Sequence, residues 1–158
     1  NVKIRVAWLG RVAASPYEAQ VETYRKRVQR RWPCEDAALR PVAGGREKDP
    51  ERVLRLEAEA LLRQHEQGGK MVALDERGRG RSSEAFARWL AGLQDQGVAG
   101  VFFVVGSDLG LHPSILDRAD EKISLSPMTL PHLLARLLLW EQLFRTTHIL
   151  GGGAYHRI

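Results

Sequence analysis

The chain has 158 residues, of which 44% are hydrophobic, and a formal net charge of +5. This length is typical of one domain, and we predict a single domain over residues 1–158 that buries roughly two-thirds of its unfolded surface. One cysteine excludes an internal disulfide framework and a multi-cysteine metal site, and no uncharged apolar run is long enough to cross a membrane, so we expect a cytoplasmic protein without a metal. The basic balance fits a polyanionic partner such as nucleic acid, although ordinary soluble enzymes share it.

The first part of the chain alternates short apolar runs with segments of helical period. We predict a strand over residues 2–9 and, after it, a helix that Ser15 caps and Pro16 begins. A weaker strand is predicted over residues 38–42. The next helix has Asp49 as its cap, because an aspartate followed by a proline is typical of a helix start.

The middle of the chain repeats this alternation. Gly68 ends the second helix, and a third strand is predicted over residues 71–74, ending at Asp75. An arginine-rich loop follows, and then a third helix that ends at Gly97. Residues 101–105 are almost purely apolar, which is typical of a strand buried on both faces of a sheet.

The last third is predicted to contain a short helix over residues 113–119, a strand over 122–125 and a long helix over 131–148. Because strands and helices alternate, the predicted fold class is α/β, with a mostly parallel sheet and helices on both faces. Such sheets bind ligands at the carboxyl ends of their strands. A site is therefore expected in the loops that follow the third, fourth and fifth strands.

Two of these loops combine small residues with accessible backbone. "GSDLGL" at 106–111 has two glycines that let a ligand approach the main chain, and "SPMTLP" at 126–131 offers backbone groups, a hydroxyl and apolar side chains. A pocket of this kind suits a heterocycle bound by backbone hydrogen bonds, while two ordinary strand-to-helix turns are the alternative. The segment "RGRGRSS" has arginine where a phosphate-binding loop needs lysine, and the dinucleotide fingerprint is absent.

Three motifs in a fixed order carry a resemblance: the G-x-x-x-G-L loop at 106–111, "SLSPMTLPH" before a long apolar helix, and "YHR" at 155–157. "TYRKR" and "ALDERG" extend it over essentially the whole chain. The combination resembles the SPOUT-class methyltransferases, and within them the small family that methylates N3 of a pseudouridine in 23S ribosomal RNA. The resemblance implies an α/β domain with a C-terminal trefoil knot, a homodimer, and S-adenosylmethionine bound in the knot. The periodicity itself does not indicate a knot.

The resemblance also implies that the two loops form the walls of one S-adenosylmethionine site. The residues that match the family's cofactor positions are Leu74, Asp75, Gly106, Ser107, Leu125, Ser126, Pro127, Met128, Thr129 and Leu130. Ser107 and Asp108 depart from the family's pattern, since they stand where the family usually has glycine and proline. Ser107 can supply the same backbone amide unless the glycine needs a positive φ angle, and Asp108 brings a charge in place of a rigid ring.

The terminal motif "YHR" matches the family's catalytic positions. His156 is a candidate base for the proton of an imide nitrogen, and positioned proton transfer contributes about 10² to 10⁴-fold. Arg157 is a candidate for stabilising the imide anion or binding a phosphate, and Tyr155 for stacking on or hydrogen bonding the base. The three preceding glycines predict a mobile tail, and a terminus without a role is the alternative.

Candidate RNA contacts are the loop arginines Arg77, Arg79 and Arg81, and His132 at the start of the last helix. The basic face of the first helix, over residues 25–31, is a second candidate, and a solvated surface is the alternative for both. The scattered histidines do not have the spacing of a metal site.

The last helix is apolar on more than one stripe, which indicates either a central core helix or a helix that is half core and half subunit interface. The resemblance implies the second arrangement. We expect Leu138 and Trp140 to support the dimer.

The expected function is S-adenosylmethionine-dependent methylation of N3 of a pseudouridine in 23S ribosomal RNA, on assembled ribosomes. One alternative is a non-catalytic protein that binds RNA or the ribosome on the same scaffold, which the altered loop at 107–108 favours. Another alternative is an enzyme of the same class with a different RNA target.

Overall fold

The computed structural model describes residues 2–42, 44–65 and 68–156. Within these ranges the strands β1 to β5 are, in chain order, Lys3–Leu9, Cys34–Leu39, Lys70–Gly80, Gly100–Val105 and Glu121–Ser124. The helices α1 to α5 are, in the same order, Glu18–Val28, Pro50–Leu62, Ser83–Asp95, Pro113–Arg118 and His132–Gly151. A short 3-10 turn, Val12–Ala14, lies between β1 and α1.

The strands form one parallel sheet in the order β2-β1-β4-β3-β5. Side chains of α1, α3 and α5 pack on one face of this sheet, and side chains of α2 and α4 pack on the other. β4 is central and its apolar residues are buried, as the sequence predicts. The predicted α/β class, a parallel sheet with helices on both faces, is therefore confirmed, while the knot stays a prediction.

The second strand lies earlier in the chain than the sequence predicts, because β2 begins at Cys34 and ends at Leu39 instead of spanning residues 38–42. It pairs in register with β1, from Ile4 opposite Cys34 to Leu9 opposite Leu39. Two consecutive acidic residues hide this strand in the sequence, since charged side chains are uncommon in strands. One of them, Asp36, is stable there because it has partners in the core.

Asp36 is the centre of a buried polar network that fixes α5 against the sheet. Its carboxylate accepts hydrogen bonds from the indole nitrogens of Trp8 and Trp140, each at 2.8 Å, and from Arg136 at 2.6 Å. Arg136 is fully buried, lies 3.9 Å from the Trp8 ring centre and donates to Glu18 at 2.8 Å. Burial alone would lower the pKa of Arg136, but its hydrogen bonds to the two carboxylates raise it. The expectation that Trp140 lies in a subunit interface is wrong, because its ring is buried and its N–H is used here.

The start of α2 agrees with the sequence prediction, and the start of α1 differs from it. Asp49 caps α2 as predicted, since its carboxylate accepts the amide of Glu51 at 3.3 Å. Ser15 does not cap α1: its hydroxyl accepts the amide of Tyr17 at 3.2 Å, and the helix begins at Glu18, two residues after the predicted start at Pro16. The reason is the 3-10 turn before it, which uses Ser15 to complete its own hydrogen bonds.

β3 continues through the segment that the sequence predicts to be a loop. It runs to Gly80, and Ile123 of β5 lies opposite both Leu74 and Arg79. The residues between these two partners form a bulge, which places residues 75–77 at the carboxyl edge of the sheet. The apolar pattern ends at residue 74, so the charged half of the strand has the composition of a loop.

Candidate functional site

The loops that follow β3, β4 and β5 meet at the carboxyl edge of the sheet and enclose a cavity of about 400 Å³. Residues 105–111 form one wall and the segment from 125 to 130 forms the other, with the bulge of β3 and the start of α5 completing the lining. This volume lies in the range of small-molecule and cofactor sites. Parallel sheets bind ligands at this edge, as the sequence analysis expects.

All but one of the residues predicted to bind the cofactor line this cavity. They are Leu74, Asp75, Gly106, Ser107, Leu125, Ser126, Met128, Thr129 and Leu130. Pro127 is the exception. His132, predicted to contact RNA, lines the cavity as well.

Two glycines shape the first wall. A Cβ added to Gly106 would stand 2.5 Å from the carbonyl oxygen of Gly110, which no real side chain tolerates. Gly110 has φ of +86°, a conformation that other residues rarely adopt, and its amide donates to the carbonyl of Ser107 at 2.8 Å. The loop therefore closes on itself and turns its backbone toward the cavity.

Ser107 anchors this loop to the core through a residue that the sequence analysis missed. Its hydroxyl donates to Glu57 at 3.0 Å and accepts the amide of Leu109 at 3.3 Å. Glu57 is buried, with 2% of its surface exposed. The signal was present in the sequence, because Glu57 lies on the apolar stripe of α2 between Val53 and Leu61, where a charge needs a partner.

Asp108 joins the two walls of the cavity. Its carboxylate accepts the backbone amide of His132 at 3.1 Å and the Nδ1 of the same residue at 2.9 Å. These hydrogen bonds hold the pKa of Asp108 below its usual value. Asp108, at the position where the family usually has a rigid proline, thus links the loop to the first turn of α5 by hydrogen bonds.

The bulge of β3 contributes two further carboxylates to the cavity. Asp75 accepts the backbone amide of Arg77 at 3.0 Å, and Glu76 accepts the hydroxyl of Thr129 at 2.6 Å. Burial raises the pKa of Asp75, but the hydrogen bonds from the amide and guanidinium of Arg77 outweigh this effect and lower it below its usual value. Asp75 and Asp108 are therefore ionised at neutral pH.

The tail packs back on α5, although three glycines precede it. Gly152 caps the helix with φ of +73°, and Gly153 donates its amide to the carbonyl of His148 at 2.9 Å. Gly153 lies so close to the His148 ring that a Cβ would stand 1.9 Å from its Nδ1. The ring of Tyr155 then packs on Phe144 with 4.6 Å between the centroids.

Both ring nitrogens of His156 have partners. Its Nδ1 lies 3.1 Å from Nη1 of Arg145, and its Nε2 lies 2.8 Å from Oε1 of Glu84. Because a guanidinium only donates hydrogen bonds, Nδ1 accepts and Nε2 carries the proton that is donated to Glu84. In this arrangement the Nδ1 lone pair of His156 is engaged by Arg145. Arg157, the third predicted catalytic residue, lies outside the described residues.

The fold does not bring the described catalytic candidates to the cavity within one chain. Neither Tyr155 nor His156 lines it, whereas His132 at the start of α5 does. Arg145, which holds His156, lies about 20 Å further along the axis of α5, given a rise of 1.5 Å per residue. In the described part of a single chain, the candidate base is therefore remote from the candidate cofactor cavity.

The predicted arginine loop separates into exposed and buried members. Arg77 has 79% of its side chain exposed, and Arg79 is exposed as well. Arg81 differs, because only 8% of its side chain is exposed. Its guanidinium lies 5.0 Å from the ring centre of Trp89 and 3.5 Å from the carboxylate of Glu121. The expectation that Arg81 offers a surface for RNA is thus contradicted, since it stabilises the packing of α3 on β5.

The basic face of α1 is likewise only partly free. Arg25 donates to Glu22 at 2.7 Å, but three cationic residues near the end of the helix line a groove with Tyr155. They are Arg27, Arg30 and Arg31.

Burial, with a hydrogen bond to Tyr24, raises the pKa of Tyr155 to about 12, so Tyr155 is a neutral phenol at neutral pH.

The described ranges contain neither a membrane-spanning helix nor a cluster of metal ligands. No helix there is both long and apolar enough to cross a bilayer. No group of three or more histidine, cysteine or acidic side chains is arranged there to hold a metal ion. Cys34 is free and buried, and burial raises the pKa of its thiol to about 11.

Comparison with known proteins identifies the family of this chain. Residues 2–156 match the family model described as "Predicted SPOUT methyltransferase". A protein named "Ribosomal RNA large subunit methyltransferase H" from Rhizobium rhizogenes is 39% identical over 99% of this chain and 100% of its own length. Proteins of the same name from Rhodospirillum centenum and Phenylobacterium zucineum are 40% and 35% identical, each over 99% of both chains. Because the match spans both walls of the cavity and most of the tail, the chain belongs to the SPOUT methyltransferase family.

Proposed function

We propose that the chain uses S-adenosylmethionine to methylate N3 of a pseudouridine in 23S ribosomal RNA, with the assembled ribosome as substrate. The observation that carries this proposal is the cavity at the carboxyl edge, where two loops present backbone groups, apolar side chains and carboxylates to one ligand. The family supplies the reaction class, and relatives named as methyltransferases of large-subunit ribosomal RNA supply the substrate class. A ribosomal substrate also implies a cytoplasmic enzyme.

The residues of the cavity fit S-adenosylmethionine by their chemistry. When bound, this cofactor supplies a methyl group on a positively charged sulfonium. Asp75 and Asp108 are held ionised, and with Glu76 they give the lining a negative charge that favours a cation. Leu74 and Leu130 offer apolar surface for a purine, and the turned backbone at 106–110 offers hydrogen-bonding groups.

His156 is our candidate for the group that takes the proton from N3 of the target base. An imide nitrogen must lose this proton to become a good nucleophile, and a neutral imidazole can accept it. In the present arrangement the Nδ1 lone pair accepts from Arg145, so His156 must leave Arg145 before it can act as a base. Tyr155, a neutral phenol, is suited to stacking on the base or donating a hydrogen bond, and Arg157 to stabilising the imide anion.

We further propose that the active unit is a homodimer in which the tail of one copy serves the cavity of the other. The separation of about 20 Å along α5 supports this arrangement, because a rigid helix cannot shorten to bring its two ends together. Leu134 and Leu138 lie one turn apart on α5 and are only partly buried in the single chain, which is typical of a helix face that packs on a partner. Most homodimers have two-fold symmetry, so each copy would complete the site of the other.

Arg77 and Arg79 are our candidates for RNA contacts at the cavity. Both side chains are exposed beside the bulge of β3, where a phosphate approaching the cavity would meet them. His132 also lines the cavity, hydrogen bonded to Asp108, and would contact the target nucleotide. RNA binding through such contacts would weaken steeply with salt.

The test is transfer of labelled methyl from S-adenosylmethionine to ribosomes that lack the modification, with free ribosomal RNA and transfer RNA assayed in parallel. Label on ribosomes, located by modification mapping at N3 of a pseudouridine, is the expected result. Label confined to transfer RNA would keep the chemistry and overturn the substrate. Absence of label and of cofactor binding, with ribosome binding retained, would favour a non-catalytic protein on this scaffold.

A further inference from the structure

A second groove lies beside the cofactor cavity, at the carboxyl ends of β1 and β2. Its volume is about 450 Å³, and His132 lines both this groove and the cavity. The remaining lining residues are Gly10, Arg11, Ala14, Arg40, Pro41, Gly44, Gly45 and Leu133. The cavity and the groove are thus neighbours on the same edge of the sheet and share His132 in their linings.

The two arginines of this groove arise from adjacent strand ends. Leu9 of β1 pairs with Leu39 of β2, and the amide of Gly10 donates to the carbonyl of Leu39 at 2.9 Å. Arg40 follows Leu39 directly, Arg11 follows Gly10, and both line the groove. Because paired strands lie about 4.8 Å apart, the two side chains start close enough to contact one anion together.

Neither guanidinium has a partner among the described residues. Arg11 and Arg40 are exposed and form no ion pair or side-chain hydrogen bond there, and no carboxylate lines the groove. Arg77, at the same edge of the sheet, is by contrast paired with Asp75. Two unpaired guanidiniums in one concave surface repel each other and favour an anion with several oxygens, such as a phosphate.

Glycine and alanine make up part of the groove lining, so few side-chain atoms fill the groove and a bulky ligand has room. Gly10 cannot carry a side chain, since a Cβ would stand 2.4 Å from the Trp8 ring. Gly44 has φ of +85°, and Ala14 presents only a methyl group. A sugar-phosphate chain can therefore lie against the backbone here.

We propose that Arg11 and Arg40 bind a backbone phosphate of the RNA, on a nucleotide next to the one whose base enters the cavity past His132. This inference rests on the proposed function, since it assumes that the ligand of the neighbouring cavity is a methyl donor to RNA. The phosphate contact fixes the position of the RNA strand, and His132 lies between that RNA strand and the methyl donor in the cavity. Arg11 and Arg40 act by positioning the RNA and take no part in the bond changes.

The test compares Arg11→Ala and Arg40→Ala with the matched control Arg63→Ala. Arg63 is also exposed and follows the last residue of α2, the end of the helix that points to the opposite edge of the sheet. At low salt we expect each test variant to raise KM for ribosomes about tenfold, and to lower the slope of log affinity against log salt by about one, with the control unchanged. The affinity for S-adenosylmethionine, measured by calorimetry, should stay the same in all three.

Equal KM and salt slopes in the test and control variants would overturn the inference. Loss of cofactor affinity in Arg11→Ala or Arg40→Ala would do the same, because it would assign these residues to the donor cavity. A failure of the proposed function is distinguishable: wild-type protein would then bind RNA without transferring methyl, and the Arg11 and Arg40 variants would still lower its RNA affinity relative to Arg63→Ala.

Discussion

The cavity and the tail differ in how complete they are within one chain. The cavity is assembled from three loops whose side chains already have their hydrogen bonds, with Ser107 tied to Glu57 and Asp108 tied to His132. The tail is ordered as well, but its His156 is held away from the cavity by Glu84 and Arg145.

Under the proposed function, binding the methyl donor and deprotonating the target are separate tasks in this molecule. The residues proposed for the first task come together in a single copy, and His156, proposed for the second, lies away from the cavity. For the proposed reaction, a second copy or the RNA must therefore release His156 from Arg145. The following predictions test each side of this contrast, beginning with the largest expected effect.

His156→Ala should lower kcat for methyl transfer by about 10² to 10⁴-fold, because positioned proton transfer is worth that much. The affinity for S-adenosylmethionine should not change, since His156 does not line the cavity. Single-turnover transfer to ribosomes and calorimetric cofactor binding measure the two quantities. Glu84→Gln is the control, because its amide oxygen can still accept from the imidazole while the charge is removed. Full activity of His156→Ala would remove the tail from the mechanism.

Arg136→Met tests the helix that connects the two regions. It leaves the buried Asp36 and its neighbour Glu18 without their cation, which should lower the free energy of unfolding by about 3–5 kcal/mol. Urea denaturation followed by circular dichroism measures this change. Arg88→Met, at an exposed position of α3, should change stability by less than about 0.5 kcal/mol. Similar losses in both variants would show that the network does not fix α5.

Gly106→Ala should weaken S-adenosylmethionine binding by about tenfold or more without unfolding the protein. The new Cβ would clash with the carbonyl of Gly110 at 2.5 Å, and overpacking of this kind costs about 1–3 kcal/mol. Gly92→Ala in α3 makes the same substitution where no atom lies within 4 Å. That control should bind the cofactor normally and gain up to about 1 kcal/mol in stability, because alanine favours the helix. Unchanged affinity in Gly106→Ala would place the cofactor elsewhere.

The smallest effect concerns the tail alone. The pKa of Tyr155 is raised from 10.0 to about 12, so the packed tail favours the neutral phenol. The contribution of the packed, neutral Tyr155 to the free energy of unfolding is fully present below pH 10 and is lost as the pH rises from 10 toward 12. Ultraviolet difference titration should show one of the three tyrosines ionising near pH 12, and Tyr155→Phe should remove that step. Absence of a step near pH 12 would mean that the tail is detached in solution.

Sequence patterns predicted the parts of the fold that depend on apolar periodicity. Apolar runs predicted β1 and β4, and the Asp49–Pro50 pair predicted the start of α2. β2 escaped because its charged Asp36 is paired with the distant Arg136, and the second half of β3 escaped because the apolar pattern ends at residue 74 and charged residues follow. No local pattern can indicate a partner that lies a hundred residues away.

In the candidate site, too, features with a local sequence motif were predicted, and features that depend on distant contacts were not. The cavity residues were predicted from motifs, and the fold brings them together except for Pro127. Glu57 and the burial of Arg81 were missed, because both depend on which face of an element meets a neighbour. The position of the tail was also beyond the sequence, since the glycines that suggest mobility instead allow close packing on His148.

The most direct test of the account is complementation between two impaired variants, assayed at an S-adenosylmethionine concentration below the Kd of Gly106→Ala, so that this variant alone transfers little methyl. Gly106→Ala has a damaged cavity and an intact tail, and His156→Ala has the reverse. If the tail serves the cavity of the other copy, mixing equal amounts with subunit exchange should restore roughly a quarter of wild-type methyl transfer, because half of the pairs are mixed and each holds one intact site. No recovery, with exchange verified by mass spectrometry of the mixed dimers, would contradict the claim that the two regions meet between copies.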